Sequence, residues 1–301
     1  MAGAASNPTR RVVALLDFLA QHPGRAYSLS DLSRELGISK STLHALVETL
    51  ADAGYLLRDA GTRLIQLGPV LTALGHAALG QRGVLIDSLR PAMEKIAREL
   101  DSHCVVSADF GEWIVPLALA GEPARVTTVF RLGARGNPFA PPMGTLFLPG
   151  RPMSEIQEWL DRAQPPMQPA EVELHLSAID LLRANGFAAA TRLDAKARLE
   201  RALDGFHVDG APEESDVVRE LLGEMRGARY MVLDFADPEP REIDWIGIPL
   251  LDRGGRVQLA LVVLNLPRPL SGPEILEVVR LLRESASGVP GVRLLQGTGG
   301  S

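Results

Sequence analysis

The stretch Leu36–Leu56, LGISKSTLHALVETLADAGYL, decides the fold of the N-terminal part of the chain. It predicts a turn at Gly37, followed by a helix that Ser39 can cap and Gly54 can close. Four apolar residues recur at the i, i+3, i+4, i+7 spacing of one helix face: Leu43, Leu46, Val47 and Leu50. The sequence therefore predicts an amphipathic helix with one side in a core and the other side in solvent.

The solvent side of this predicted helix has an unusual first turn. Lys40, Ser41 and Thr42 occupy the turn without any acidic residue. The positive end of the helix dipole disfavours a cation there by roughly 0.3–1 kcal/mol. An anion bound at this end, such as a DNA phosphate, would neutralise that cation. The alternative is a solvated helix face, which is the usual role of charged and hydroxyl residues.

The flanking segments favour a DNA-binding domain. Helical spacing predicts a helix over residues 9–20 and a short helix over residues 31–36, with Ser30 as its cap. YLLRDAGTRLIQL then predicts two short strands around a turn at residues 60–61. Three helices and a basic hairpin indicate a winged helix-turn-helix, whose third helix enters the major groove. The predicted DNA-binding residues are Ser39, Lys40, Ser41, Thr42, His44, Ala45, Glu48, Thr49, Arg58 and Arg63.

Composition and charge agree with this division of the chain. The 301 residues are 46% hydrophobic and 23% charged, and this length suits two domains. Residues 1–82 contain 8 Lys and Arg against 6 Asp and Glu, whereas the remainder contains 23 against 31. The acidic excess therefore lies away from the predicted DNA-binding helix. No apolar run of membrane-spanning length or signal-peptide core is present, which predicts a cytoplasmic protein without a membrane partner.

The second part of the chain predicts a mixed α/β domain. SHCVVSADFGEWIVPLALA alternates as two strands about a turn at Gly111. Further strands are predicted at VTTVFRLG, ARYMVLDF, IDWIGIPLLD and RVQLALVVLNL. Helices are predicted over residues 85–100, 154–163, 177–185, 193–203 and 215–225, and SGPEILEVVRLLRESASG predicts a closing helix.

No catalytic constellation emerges from the sequence. Cys104 is the one cysteine, and its neighbour His103 would point to the opposite face of a strand, so the two cannot pair as nucleophile and base. The six histidines lack metal-ligand spacing, and no P-loop, dinucleotide fingerprint or nucleophile elbow is found. We therefore expect neither an enzyme nor a cofactor or metal site. An enzyme that turns over a bound compound is the most distant alternative.

The segment GISKSTLHALVETLADAGYL, with the following LGPVLTALG, resembles the DNA-binding half of the IclR family of bacterial transcription regulators. TTVFRLGARGNPFAPPMGTLFL and WIGIPLLDRGGRVQLALVVLNLP resemble the ligand-loop and closing strands of that family. The resemblance implies a winged helix-turn-helix at residues 1–68, a linker helix at 69–82 and a GAF-like α/β effector-binding domain at 83–295. It also implies a small-molecule effector. Residues 150–230 match poorly.

The linker helix is predicted to pair subunits. Leu71, Leu74, Ala78 and Leu79 give it an apolar stripe, and its small residues allow close helix approach. A two-fold axis through such a helix would place two recognition helices on operator half-sites about 34 Å, or a multiple of that distance, apart. We therefore expect a homodimer or a tetramer. The alternative is a lone helix packed on its own domain.

The chain departs from the family pattern at the implied effector site. Trp245 replaces a frequent cysteine, Val262 and Leu264 replace two common serines, and the ligand-loop lysine is missing. Because each change removes a polar group, the predicted effector is apolar or aromatic. Candidate effector-binding residues are Ala140, Pro142, Met143, Gly144, Asp234, Trp245, Val262 and Leu264. The alternative is that the large side chains fill the site and no effector binds.

The sequence thus predicts an effector-controlled transcriptional regulator that binds double-stranded operator DNA. The alternative is a DNA-bound interaction module whose C-terminal domain binds a protein partner or no ligand.

A further departure from the family pattern lies on the predicted DNA-binding helix that follows Gly37, where relatives often place an arginine and this chain has Ala45. The absence of that arginine removes a side chain that could read guanine, so base recognition could rest on His44, Glu48 and Thr49.

Overall fold

A computed structural model describes residues 8–22, 24–122, 132–139, 144–195, 198, 216–227 and 230–297. The chain divides into two compact units, residues 1–83 and residues 84–301. The predicted limits of the three segments, 1–68, 69–82 and 83–295, stay predictions.

The N-terminal unit contains three helices, a hairpin and a fourth helix. These elements are α1 (Pro8–Ala20), α2 (Leu29–Leu36), α3 (Lys40–Asp52), β1 (Leu56–Arg58), β2 (Ile65–Leu67) and α4 (Val70–Leu79). The antiparallel strands β1 and β2 form the wing, with Leu56 opposite Leu67 and Arg58 opposite Ile65. The predicted winged helix-turn-helix is therefore confirmed.

One apolar core holds this unit together. It comprises Leu15, Leu19, Leu32, Leu36, Ile38, Leu43, Val47, Leu56 and Ile65. Leu43 and Val47 bring α3 into this core, while Leu46 and Leu50 lie half-buried beside it. Truncation of a fully buried leucine such as Leu43 to alanine would cost about 2–5 kcal/mol. The apolar stripe of α3 therefore determines which of its faces remains in solvent.

The cap residues of α2 and α3 were predicted with unequal success. Ser39 caps α3 as predicted, because its hydroxyl accepts a hydrogen bond from the backbone N–H of Thr42. Ser28, not Ser30, caps α2 and accepts from the N–H of Asp31. The wrong cap follows from the helix beginning at Leu29, two residues earlier than predicted. Gly37 ends α2 in the left-handed region at φ 63°.

The predicted linker segment contains α4 and the beginning of α5 (Gln81–Glu99). Gly80 separates the two helices at φ 53° and ψ −133°. Helix α5 begins four residues before the predicted start at residue 85. Helix α4 has an apolar composition but no buried residue. The role of this helix in subunit pairing stays a prediction.

The second unit is built on an antiparallel sheet. Its strands are β3 (His103–Asp109), β4 (Ile114–Ala120), β5 (Ala188–Thr191), β6 (Ile243–Leu251), β7 (Val257–Leu264) and β8 (Arg293–Leu294). The order in the sheet is β4-β3-β7-β6-β5, and β8 pairs with β6. The described helices after α5 are α6 (Met153–Asp161), α7 (Pro169–Asn185), α8 (Asp216–Gly227) and α9 (Gly272–Ser287), with a 3₁₀ turn at Gly144–Phe147. This arrangement confirms the predicted α/β class.

Several predicted elements of this unit need correction. ARYMVLDF forms no regular strand in its described part, where Met231 makes one isolated bridge to Ala190. Strand β5 was missed because its residues, AAAT, carry little of the β-branched and aromatic character that marks a strand. Helix α7 begins at Pro169, eight residues before the predicted start. Most of the predicted strand VTTVFRLG and most of the helix predicted at 193–203 lie outside the described residues.

The two faces of the sheet are covered differently. Helix α9 packs against β6 and buries Ile275, Val279 and Leu282. A separate apolar cluster joins inward-facing strand residues to the 3₁₀ turn, α7 and Tyr230. This second cluster contains the three strand residues that the sequence places at an effector site.

Candidate DNA-binding surface and effector site

The exposed side of α3 gathers most of the predicted DNA-binding residues. Ser41, Ala45, Glu48 and Thr49 are exposed along it, and Thr42 and His44 are half-buried at its margins. Lys40 begins the helix, and its side chain makes no hydrogen bond or ion pair within the described part of the chain. The predicted residues on this helix therefore share one solvent-facing surface, the α3 surface.

Three hydroxyl groups organise the N-terminal end of α3. The Ser39 hydroxyl accepts from the N–H of Thr42 at 3.3 Å and donates to Thr42 Oγ1 at 2.9 Å. Its oxygen also lies 3.2 Å from Ser41 Oγ. No acidic side chain occupies the first turn. The helix end thus presents backbone N–H groups, hydroxyls and the Lys40 cation, a combination that suits a phosphate oxygen.

The middle of the α3 surface carries one histidine–glutamate pair and one hydroxyl that hydrogen-bonds within the helix. His44 Nδ1 lies 3.3 Å from Glu48 Oε2, with side chains 43% and 58% exposed. Thr49 Oγ1 donates to the backbone carbonyl of Ala45 at 2.9 Å. Glu48 therefore presents the acceptor oxygens of this surface, and its carboxylate is held beside a histidine ring.

The wing carries the other two predicted DNA-binding residues. Arg58 lies in β1, and its Nε is buried without a hydrogen-bond partner among the described residues. Arg63 is exposed and has φ 59°, a left-handed conformation that non-glycine residues adopt infrequently. The Asp59 carboxylate organises the turn and accepts from the N–H groups of Thr62 and Gly61 at 2.6 and 3.1 Å. The hydrogen bonds from Thr62 and then Gly61 lower the pKa of Asp59, so the turn keeps its anion at neutral pH.

Three predicted effector residues meet on neighbouring strands. Trp245 lies opposite Leu264, and Gly247 lies opposite Val262, in the β6–β7 register. Trp245, Val262 and Leu264 are each 1% exposed. A Cβ at Gly247 would lie 3.1–3.3 Å from side-chain atoms of Val262, Leu146 and Trp245. The glycine therefore provides the space in which these side chains approach one another.

The same cluster contains polar groups that the sequence did not point out. Tyr230 is buried and shares a side-chain hydrogen bond with Thr145, and its burial raises the pKa of the phenol. Trp245 Nε1 is a buried donor that has no partner among the described residues. Tyr230 lies in a segment that the sequence predicts as a strand, and Thr145 lies in the ligand-loop segment. Neither residue belongs to a sequence pattern that indicates a binding site. Only the fold brings these groups together.

Of the remaining predicted effector residues, the structure describes Gly144 and Asp234. Gly144 is buried, but a Cβ there would overlap the carbonyl oxygen of Pro138, so it is a packing position. Asp234 is exposed, and its carboxylate accepts from the N–H of Ala236, so its contact with an effector stays a prediction. Ala140, Pro142 and Met143 lie outside the described residues.

The residues considered for catalysis show structural roles. Cys104 is fully buried, and burial raises the pKa of its thiol, which keeps the reactive thiolate scarce. The ring of His103 contacts the Glu122 carbonyl through Nε2 at 2.7 Å and the Asn265 amide through Nδ1 at 3.2 Å. In the described parts of the chain, no three His, Cys, Asp or Glu residues lie close enough to hold a metal ion. Nor does any described helix have the length and apolarity needed to cross a membrane.

Sequence comparison identifies the N-terminal unit. Residues 8–60 match the IclR helix-turn-helix domain. The HTH-type transcriptional regulator KipR of Bacillus subtilis is 27% identical over 154 residues, which are 50% of this chain and 59% of KipR. XynR of Escherichia coli, another HTH-type transcriptional regulator, is 34% identical over 70 residues, which are 23% of this chain and 27% of XynR. The matches thus span at most 59% of the length of these two relatives.

Solved structures share the fold over nearly the whole chain. Pseudomonas aeruginosa HmgR has a TM-score of 0.56 and 19% identity, covering 94% of this chain and 97% of HmgR. An IclR homologue from Microbacterium hydrocarbonoxydans, solved in complex with 4-hydroxybenzoate, has a TM-score of 0.55 and 18% identity, covering 94% and 97%. Thermotoga maritima IclR has a TM-score of 0.55 and 18% identity, covering 93% and 96%. At these identities the likeness concerns the fold.

Proposed function

We propose that the chain is a transcriptional regulator of the IclR family that binds operator DNA through α3 and the wing. The match of residues 8–60 to the IclR helix-turn-helix domain and the similarity to KipR support this proposal. The observation that carries the proposal is the N-terminal end of α3. There a Ser39 cap stands beside Lys40, which has no ion-pair partner among the described residues, in place of the usual acidic first turn. Phosphate groups satisfy such an end, and base edges meet the side chains that follow it.

The experiment that tests DNA binding starts from random duplexes. The full-length protein is used to enrich a pool of random DNA, and anisotropy titrations then compare the enriched duplex with a scrambled one. We expect the enriched duplex to bind more tightly, with an affinity that falls steeply as salt rises because phosphate contacts release counterions. Equal weak binding to both duplexes would contradict the proposal.

We further propose that the second unit binds a small apolar or aromatic effector. Trp245, Val262 and Leu264 supply an apolar lining, and a carboxylate without polar partners there would carry a desolvation cost of several kcal/mol. The 4-hydroxybenzoate complex of the homologue of similar fold supports only the aromatic ring of the ligand, because the carboxylate of that compound is the group that this apolar lining disfavours. Trp245 Nε1, which has no partner among the described residues, would donate a hydrogen bond to one acceptor on that ligand.

The alternative function is a DNA-bound module whose second unit takes a protein partner or no ligand. The observation that favours it is the near-complete burial of Trp245, Val262 and Leu264, which equally suits residues that fill the site. A thermal-shift screen of aromatic and aliphatic metabolites separates the two proposals. Saturable thermal stabilisation by one class of metabolite supports the effector-binding regulator. No thermal shift with any class supports the interaction module.

We propose that the active form is a homodimer or a tetramer paired through α4. Helix α4 buries none of its residues within the described chain, although its sequence, VLTALGHAAL, is mostly apolar. Leu74 remains 46% exposed. An exposed apolar helix is stabilised when a second copy covers it, and a two-fold pair would address two operator half-sites.

A further inference from the structure

We infer that Glu48 reads a base in the operator, by accepting a hydrogen bond from the N4 amino group of a cytosine in the major groove, and that His44 positions its carboxylate. The inference rests on the proposed DNA-binding function and deepens it. The observation behind it is the pair on the α3 surface, where His44 Nδ1 lies 3.3 Å from Glu48 Oε2.

The position of Glu48 on α3 directs it toward the DNA. Leu43 and Val47 face the core of the unit, and Ala45 and Glu48, three residues apart, lie on the exposed side. The side chain of Ala45 ends at Cβ, so a base edge can approach the helix closely beside Glu48. In a docked recognition helix, the carboxylate would therefore point into the groove.

The other polar groups of the α3 surface have local hydrogen bonds. The Thr49 hydroxyl donates to the Ala45 carbonyl, and Thr42 and Ser41 belong to the hydroxyl cluster around Ser39. Lys40 stands at the helix end, where phosphates are expected. Glu48 and His44 therefore remain as the pair with free hydrogen-bonding capacity toward bases.

A carboxylate has a narrow choice of partners in the major groove. It can only accept hydrogen bonds, and cytosine offers the N4 amino donor. Adenine also has an amino donor, N6, but its N7 acceptor lies beside that donor and repels a carboxylate, and guanine and thymine present acceptor oxygens. Between two rows of phosphates, an unmatched carboxylate weakens binding through repulsion. Glu48 thus favours a site with the matching amino group and acts against sites that lack it.

The pair contributes little to the helix itself, since both side chains are about half exposed. Its effect on the carboxylate is geometric, because His44 Nδ1 lies beside Oε2 and leaves the other carboxylate oxygen, Oε1, available to a base. Removal of His44 would let the Glu48 side chain move among rotamers, so its carboxylate would spend less time in the hydrogen bond with the base. His44 is therefore a positioning residue.

The experiment compares sequences enriched from random duplexes by wild-type full-length protein, Glu48→Ala and Glu35→Ala. Glu35 is the matched control, because it is an exposed glutamate of α2 that also lies beside a basic residue, Arg34, at 3.4 Å. We expect wild type to prefer cytosine at one position per half-site by about 10–100-fold over other bases. Glu48→Ala should abolish this preference, and Glu35→Ala should retain it.

His44 is tested by the same readout. His44→Ala should reduce the cytosine preference several-fold without altering the midpoint of thermal unfolding. His44→Gln, which keeps a donor near the carboxylate, should restore part of the preference.

Two failures are distinguishable. If wild type enriches no sequence, the proposed DNA-binding function fails and the inference falls with it. If wild type enriches an operator but Glu48→Ala keeps every base preference and only tightens binding to all duplexes, as Glu35→Ala would, the inference alone is overturned.

Discussion

Trp245 of β6 lies directly opposite Leu264 of β7, and each side chain is 1% exposed. The indole Nε1 of Trp245 nevertheless has no hydrogen-bond partner among the described residues. A buried donor without a partner is costly, and in the proposed complex an acceptor atom of the effector would be its partner. This relationship gives the effector proposal its sharpest test.

Trp245→Phe keeps an aromatic ring and removes the N–H group. Because this change removes no hydrogen bond within the described chain, we expect the free energy of unfolding to fall by at most about 1.5 kcal/mol. The affinity for the aromatic compound that stabilises the wild-type protein should fall roughly fivefold, because one hydrogen bond contributes about 1 kcal/mol. Calorimetric titration and urea unfolding measure the two effects. Trp159→Phe, in a separate buried cluster, is the control and should leave the effector affinity unchanged.

Leu74→Glu tests subunit pairing through α4. Leu74 is 46% exposed, so the substitution should change the stability of the folded unit by no more than about 0.5 kcal/mol. A charge in a paired apolar face should shift the protein toward monomer in sedimentation at micromolar concentration. Leu57→Glu is the control, because Leu57 is 45% exposed on the wing. A wild-type monomer, or equal sedimentation of both variants and wild type, would contradict the pairing.

Glu274→Gln tests the start of α9. Hydrogen bonds from the backbone N–H and hydroxyl of Ser271, followed by contact with Arg268, lower the pKa of Glu274 from 4.5 to about 2. A lowered pKa means that this contribution to stability is complete above pH 4.5 and disappears as the pH falls toward about 2. Urea unfolding at a series of pH values should show a weaker acid dependence for Glu274→Gln. Glu277→Gln on the same helix should follow wild type, and parallel curves for all three proteins would refute the account of this cap.

Arg63→Ala tests the wing. Arg63 is exposed at the hairpin turn, where its guanidinium can enter a minor groove. We expect the substitution to weaken binding more on duplexes with A·T-rich flanks than on those with G·C-rich flanks, since a narrow minor groove attracts arginine. Anisotropy titrations on the two duplexes measure the difference. An equal decrease on both would assign Arg63 to the phosphate backbone instead.

The N-terminal unit was largely predictable because local signals agree with its tertiary packing. The stripe containing Leu43 and Val47, the Ser39 cap and the turn before α3 all appear where the sequence indicates them. The error at the α2 cap arose because Ser28 and Ser30 are both plausible caps, and the choice depends on where the helix begins. Local patterns alone do not decide between them.

The second unit was less predictable because its site depends on long-range pairing. Strand β5 is a run of alanines that becomes a strand by pairing with β6, and Tyr230 meets Thr145 from a distant part of the chain. Asp234 was selected for its charge, yet its carboxylate serves its own loop. Trp245, Val262 and Leu264, which the family resemblance indicated, do share one cluster, because the β6–β7 register places Trp245 opposite Leu264 and Val262 opposite Gly247 on the same face.

The salt dependence of operator binding by Lys40→Ala tests the central claim most directly. The measurement is anisotropy titration of the enriched duplex between about 50 and 200 mM salt, with Lys95→Ala, a cation 56% exposed on α5, as the control. If α3 presents its N-terminal end to DNA, Lys40→Ala weakens binding to all sequences alike. It also lowers the magnitude of the log–log salt slope by about one, because a lysine bound to a phosphate displaces about one counterion. If Lys40→Ala and Lys95→Ala both match the affinity and slope of wild type, the α3 surface is not where this protein binds DNA.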